Sequence, residues 1–96
     1  MIEILIPLKQ HCEQNGITLN QLAMLVCIET QPQTCTHIAD QLAVTTAAIT
    51  GQIDALTAKG YLTAAYDGKD RRIKQVKPTP KGRAVLKAAH ELCQAA

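Results

Sequence analysis

The stretch Thr45-Thr46-Ala47-Ala48-Ile49-Thr50-Gly51-Gln52-Ile53-Asp54-Ala55-Leu56 decides how this chain folds. Ile49, Ile53 and Leu56 recur at i, i+4 and i+7, which is one narrow apolar stripe on a 3.6-residue helix. Thr45 is suited to cap that helix and Gly60 to end it, so the spacing predicts a helix over Thr46–Lys59. Away from the stripe the side chains are small or hydroxylic. A helix entering the major groove of a duplex must let backbone and base edges approach, and Thr45, Thr46, Ala47, Thr50 and Gly51 offer that surface. Threonine hydroxyls can meet phosphates or base edges, their methyls can touch thymine, and Gln52 can pair with adenine if it points outward. The bland alternative is a Thr/Ala-rich face that is merely solvated.

Working outward, the preceding segment carries Ile38, Ala39 and Leu42 as an inward stripe behind a capping Thr34, while His37, Asp40 and Gln41 face out. It predicts a helix of about two turns. Upstream, Thr18 and Gln21 have capping-box spacing before a largely buried helix through Leu19, Leu22, Ala23, Leu25, Val26 and Glu29, which ends before Pro32. A first helix spans Ile2–Asn15, with Ile4, Leu5, Leu8 and Cys12 at helical spacing and Gly16 as its stop; Pro7 fits only a first turn or a kink. Downstream of Gly60 the period changes. Tyr61–Tyr66 is β-compatible, Asp67-Gly68 is a hairpin-turn signal, and Ile73–Lys77 supplies a second strand. Thr79-Pro80 then caps and opens a last helix with Val85, Leu86, Ala89, Leu92 and Cys93 on one stripe. The fold class expected is mainly α with a small β-hairpin, a winged helix-turn-helix.

At 96 residues the chain fits a single domain, 1–96, with one core built from Ala, Leu, Ile and Val and with Tyr61 and Tyr66 as the only aromatics. Its net charge of +2 hides a division. Through Ala58 one Lys stands against five acids, giving −4, while Lys59 onward holds nine Lys/Arg against three acids, giving +6. Clustered cations attract a phosphate backbone, because neutralising phosphates releases condensed counterions. Arg71 or Arg72 can enter a narrow minor groove while Asp70 holds the other guanidinium, and Lys69 and Lys74 can meet phosphates. Cys12, Cys27, Cys35 and Cys93 include no C-x-x-C pair, no leading segment resembles a signal peptide, and no apolar run reaches membrane length. A cytoplasmic protein with reduced thiols and no membrane partner is expected.

From Leu19 to Leu86 the sequence resembles the MarR family of winged-helix transcriptional regulators. The resemblance runs through Leu19-Asn20-Gln21, His37-Ile38-Ala39-Asp40-Gln41-Leu42, the stretch from Val44 to Leu56, Lys59-Gly60-Tyr61-Leu62, Asp70-Arg71-Arg72 and Thr79-Pro80-Lys81-Gly82. It implies double-stranded DNA as partner, a recognition helix in the major groove, a wing arginine in the minor groove, a homodimer and a repressor. The chain departs from the family pattern at Gly51, where many relatives carry arginine, and at Thr57, where many carry glutamate. Only residues 1–15 and 79–96 remain to build a dimer, which leaves little chain for a small-molecule crevice.

Rival readings come from other classes. No Ser/His/Asp arrangement, glycine-rich phosphate loop or acid/base pair of carboxylates suggests an enzyme, and no cofactor is implied. A winged-helix module that binds protein, such as an antagonist of another regulator, stays open because fold alone does not establish DNA binding. His11-Cys12, Cys35-x-His37 and His90-x-x-Cys93 raise a zinc or redox sensor, although three or four ligands would have to converge for zinc. No metal site is expected from these pairs alone.

Overall fold

The computed structural model of the protein describes residues 1–66 and 74–95. In chain order the elements are α1 (Ile2–Asn15), α2 (Leu19–Ile28), β1 (Gln33–Thr34), α3 (Cys35–Leu42), α4 (Thr46–Ala58), β2 (Leu62–Tyr66), β3 (Lys74–Pro78) and α5 (Pro80–Ala95). Local chemistry sets most boundaries. Thr18 and Gln21 form a complete capping box at α2, and the Thr34 and Thr45 side chains accept from the backbone N–H groups of His37 and Ala48. Gly16 ends α1 in the left-handed conformation, and Ala43 does the same for α3 at φ 57°. Pro7 lies inside α1, not in its first turn, so the Glu3 carbonyl lacks its usual intrahelical donor.

The sheet is larger than the expected hairpin. β1 pairs with β3 through Gln33↔Val76 and Thr34↔Gln75, giving an antiparallel order β1-β3-β2. Ala64, Val76 and Gln33 form one row across it, turned toward the core. Gln33 is buried, and its Nε2 donates to the Cys27 carbonyl at 2.6 Å, satisfying an acceptor at the end of α2.

Met24, Leu25, Ile28, Ile38, Leu56, Leu62, Val76 and Leu86 are the large side chains wholly withdrawn from water, and they bring every helix except α1 and two strands onto one core. α1 reaches that core through Cys12 and packs along α5. The inward stripe of α2 is rotated from the expected one: Gln21, Leu22, Met24, Leu25 and Ile28 are buried, whereas Leu19 and Val26 are exposed. On α5 the stripe holds for Val85, Leu86 and Ala89 and then runs past the core, leaving Cys93 exposed.

Candidate nucleic-acid interface

The three apolar side chains predicted to anchor α4 are all buried, which fixes the opposite face toward solvent. Thr45, Thr46, Ala47, Thr50 and Gly51 are exposed there. Thr45 Oγ1 accepts from Ala48 N at 3.2 Å and keeps its own O–H free to donate. Thr50 Oγ1 instead donates to the Thr46 carbonyl at 3.0 Å, so it presents lone pairs and a methyl group outward. A Cβ added at Gly51 would meet nothing within 4 Å. Glycine costs a helix interior about 0.5–1 kcal/mol, and no packing among the described residues demands one here; its effect is a patch of bare backbone one turn beyond Ala47.

Gln52 is placed differently from its neighbours. It is half-buried at the rim of a cleft of about 140 Å³ formed with Asn20, Met24, Leu42, Val44, Ala48 and Ile49, and its Oε1 accepts from Gln21 Nε2 at 2.8 Å. Periodicity within one helix could not reveal this link, because it joins two helices 31 residues apart.

Behind α4, the base of the hairpin is locked to the start of α5. Gly60 takes φ 82°, and Tyr61 N–H reaches back to the Leu56 carbonyl, ending α4 and turning the chain into β2. Thr79 then ties both sides together. Its N–H donates to Tyr61 O, its hydroxyl donates to Gly60 O at 2.6 Å, and the same oxygen accepts from Gly82 N at 3.1 Å. Lys81 Nζ donates to the Lys59 carbonyl at 2.9 Å and lies 4.6 Å from the centre of the Tyr61 ring. Tyr61 hydroxyl in turn donates to Asn15 O, and Lys59 Nζ donates to Gly16 O. The ends of α1 and α4 and the start of α5 thus hold β2 and β3 in register, from Leu62↔Pro78 to Tyr66↔Lys74.

Lys74 opens β3, while Lys69, Asp70, Arg71 and Arg72, with the expected turn at Asp67-Gly68 and the expected strand start at Ile73, lie outside the described residues. Two cations of the electropositive half, Lys59 and Lys81, are positioned by backbone carbonyls and keep their charge. The His and Cys pairs go separate ways. Asn15 Nδ2 donates to His11 Nδ1, which leaves His11 Nε2–H to donate to the Val85 carbonyl at 3.0 Å. His90 Nε2 lies 2.8 Å from a Glu29 carboxylate oxygen, and Cys12 is buried. Among the described residues no three His, Cys, Asp or Glu side chains gather as a metal site, and no helix is long and apolar enough to cross a membrane. Burial pushes the Cys12 and Cys27 thiols above their ordinary range, with Glu13 adding to the effect at Cys12.

No curated protein sequence matches the chain. Solved structures do. A crystal structure of S. aureus MepR in complex with DNA superposes with a TM-score of 0.85 at 23% identity, covering 91% of this chain and 73% of MepR. At that identity the likeness speaks for the fold. The transcriptional regulator BldR from Sulfolobus solfataricus gives a TM-score of 0.80 at 32% identity over 93% of this chain and 65% of BldR. Streptococcus pneumoniae FabT in complex with DNA gives 0.79 at 25% identity, over 82% of this chain and 56% of FabT. The MarR family model matches residues 17–74, from the residue before the α2 cap to the first residue of β3. The three threonine-capped helices α2, α3 and α4, with the exposed face of α4, and β2 lie within this match, and the chain belongs to the MarR family.

Proposed function

We propose that this protein is a sequence-specific regulator of transcription that binds double-stranded DNA as a homodimer and represses. Its α4 enters the major groove through Thr45, Thr46, Ala47, Thr50, Gly51 and Gln52. In the wing, Arg71 or Arg72 enters the adjacent minor groove while Asp70 holds the other guanidinium, and Lys69 and Lys74 meet phosphates. The observation that carries this reading is the exposed, unencumbered N-terminal face of α4, anchored from behind by three buried side chains and flanked by a hairpin whose base is locked. The DNA complexes of MepR and FabT support it. For the homodimer, support comes from α1, where Ile2, Leu5 and Ile6 are exposed at helical spacing, an apolar strip that a second copy can cover.

The test uses a duplex enriched by the wild-type chain from a random pool. Replacing Arg71 and Arg72 together by Ala weakens binding and makes its dependence on salt shallower, by about 0.9 in logarithmic slope for each guanidinium that neutralises a phosphate. An unchanged affinity and slope between about 50 and 200 mM salt contradicts the placement of the wing.

A further inference from the structure

The link between Gln21 and Gln52 has a direction fixed by one backbone group. Thr18 N–H can only donate, and it meets Gln21 Oε1 at 3.0 Å, so the other end of the Gln21 amide is the NH₂ group. That group meets Gln52 at 2.8 Å, and since it too can only donate, the atom facing it is Gln52 Oε1. The end of the Gln52 amide that Gln21 does not engage is its NH₂. Gln21 is 5% exposed and its backbone N–H donates to the Thr18 hydroxyl oxygen at 3.1 Å, so neither its position nor its polarity is free to change cheaply.

Bidentate recognition of adenine needs an amide that offers one donor and one acceptor together. Here one lone pair of the acceptor is already held by Gln21, so the amide is not free to turn its donor and acceptor together toward a base. Gln52 also stands three residues beyond buried Ile49, about 60° around the helix from it, at the flank of the outer face beside Ala48 and Asn20. We infer that Gln21 is a positioning residue that turns the Gln52 amide donor-outward, and that Gln52 holds a DNA phosphate oxygen instead of reading a base. This inference rests on the DNA-binding reading above. It extends the capping box of α2 into the recognition surface: the residue that starts one helix sets the polarity of a contact made by another.

The experiment compares the full chain with Gln52→Ala on the duplex that the wild type enriches and on every single base-pair variant of that duplex. A neutral donor to phosphate contributes affinity without counterion release. Loss of about tenfold on all of these duplexes, with the order of base preference and the salt slope both retained, is the expected result. In a second measurement each phosphate of the duplex is replaced in turn by an uncharged methylphosphonate. One position weakens the wild type and no longer weakens Gln52→Ala, and this requires no destabilised variant. Gln21→Glu keeps the acceptor for Thr18 N–H but removes the donor toward Gln52; it gives the same loss, and Gln52→Ala adds nothing further in that background. A loss confined to variants of one A·T pair, an unchanged affinity of Gln52→Ala, or the absence of any phosphate position sensitive to Gln52 overturns the inference while leaving DNA binding intact. Failure of the folded wild type to enrich any duplex overturns the parent reading and this inference with it.

Discussion

Gly82 shows how a single residue joins the sequence pattern to the fold. A Cβ placed there would stand 2.0 Å from the Tyr61 carbonyl oxygen and 3.1 Å from its carbonyl carbon, both backbone atoms. The resemblance marked Thr79-Pro80-Lys81-Gly82 as a helix start, and the structure supplies the reason: α5 begins pressed against the chain leaving α4. Gly82→Ala is expected to cost about 1–3 kcal/mol in denaturant unfolding, because the neighbour cannot give way without moving the base of the hairpin. A cost below the error of the measurement would show that this contact relaxes freely. Cys12 and Cys27 give a prediction in pH. Their thiols are held above the ordinary range in the folded chain, so the unfolded chain releases these protons first. Stability is therefore retained below about pH 8.5 and declines as pH rises through the folded-state values. Unfolding midpoints that decline with pH in the wild type, decline less in Cys12→Ala and stay level only when Cys27 is replaced as well assign the slope to these two thiols; a level wild type contradicts it. Residue roles inside one helix were largely legible, as for Ile49, Ile53 and Leu56. Those that depend on two distant segments, such as Gln21 with Gln52 or Lys81 over Tyr61, were not, because periodicity orients a helix without saying what it faces.

Among the elements, the helices were legible because capping residues and stripes agree on the same boundaries. The Thr18, Thr34 and Thr45 caps all act as their positions predict. β1 was missed for a physical reason: two residues after Pro32 carry no period, and the strand exists only because β3 comes alongside it. The rotation of α2 has a similar cause. Leu19 and Val26 match an apolar stripe, yet burial follows Met24, Leu25 and Ile28, because α2 is packed against α1, α3, α5 and β3 together. Between α3 and α4, Ala43 holds φ 57° in the turn of the helix-turn-helix. A left-handed L-residue costs about 1–2 kcal/mol, while glycine adds unfolded-state entropy of about 0.4–1 kcal/mol. Ala43→Gly is thus expected to stabilise the chain by about 0.5–1 kcal/mol in thermal or denaturant unfolding. Destabilisation would mean that the Ala43 methyl group contributes contacts that outweigh the strain.

For the whole molecule, the three scales converge on one division of labour. A core of aliphatic side chains fixes α4 from behind, the locked junction of Gly60, Tyr61, Thr79 and Gly82 sets the hairpin, and the faces left exposed are those that a nucleic acid and a second copy would need. The overall class was legible from the order of periods along the chain, helical, then β, then helical. The wing was legible only as charge and motif, since the roles expected of Lys69, Asp70, Arg71 and Arg72 depend on a partner. The chain spans 73% of MepR and 65% of BldR. The measurement that tests the central claim most directly is selection of bound duplexes from a random pool by the purified chain, read with its mass in solution. The account predicts a two-chain species and an enriched site with two-fold symmetry, its half-sites about one helical turn of 10 base pairs, or a multiple of it, apart. A folded protein that enriches no sequence would contradict it.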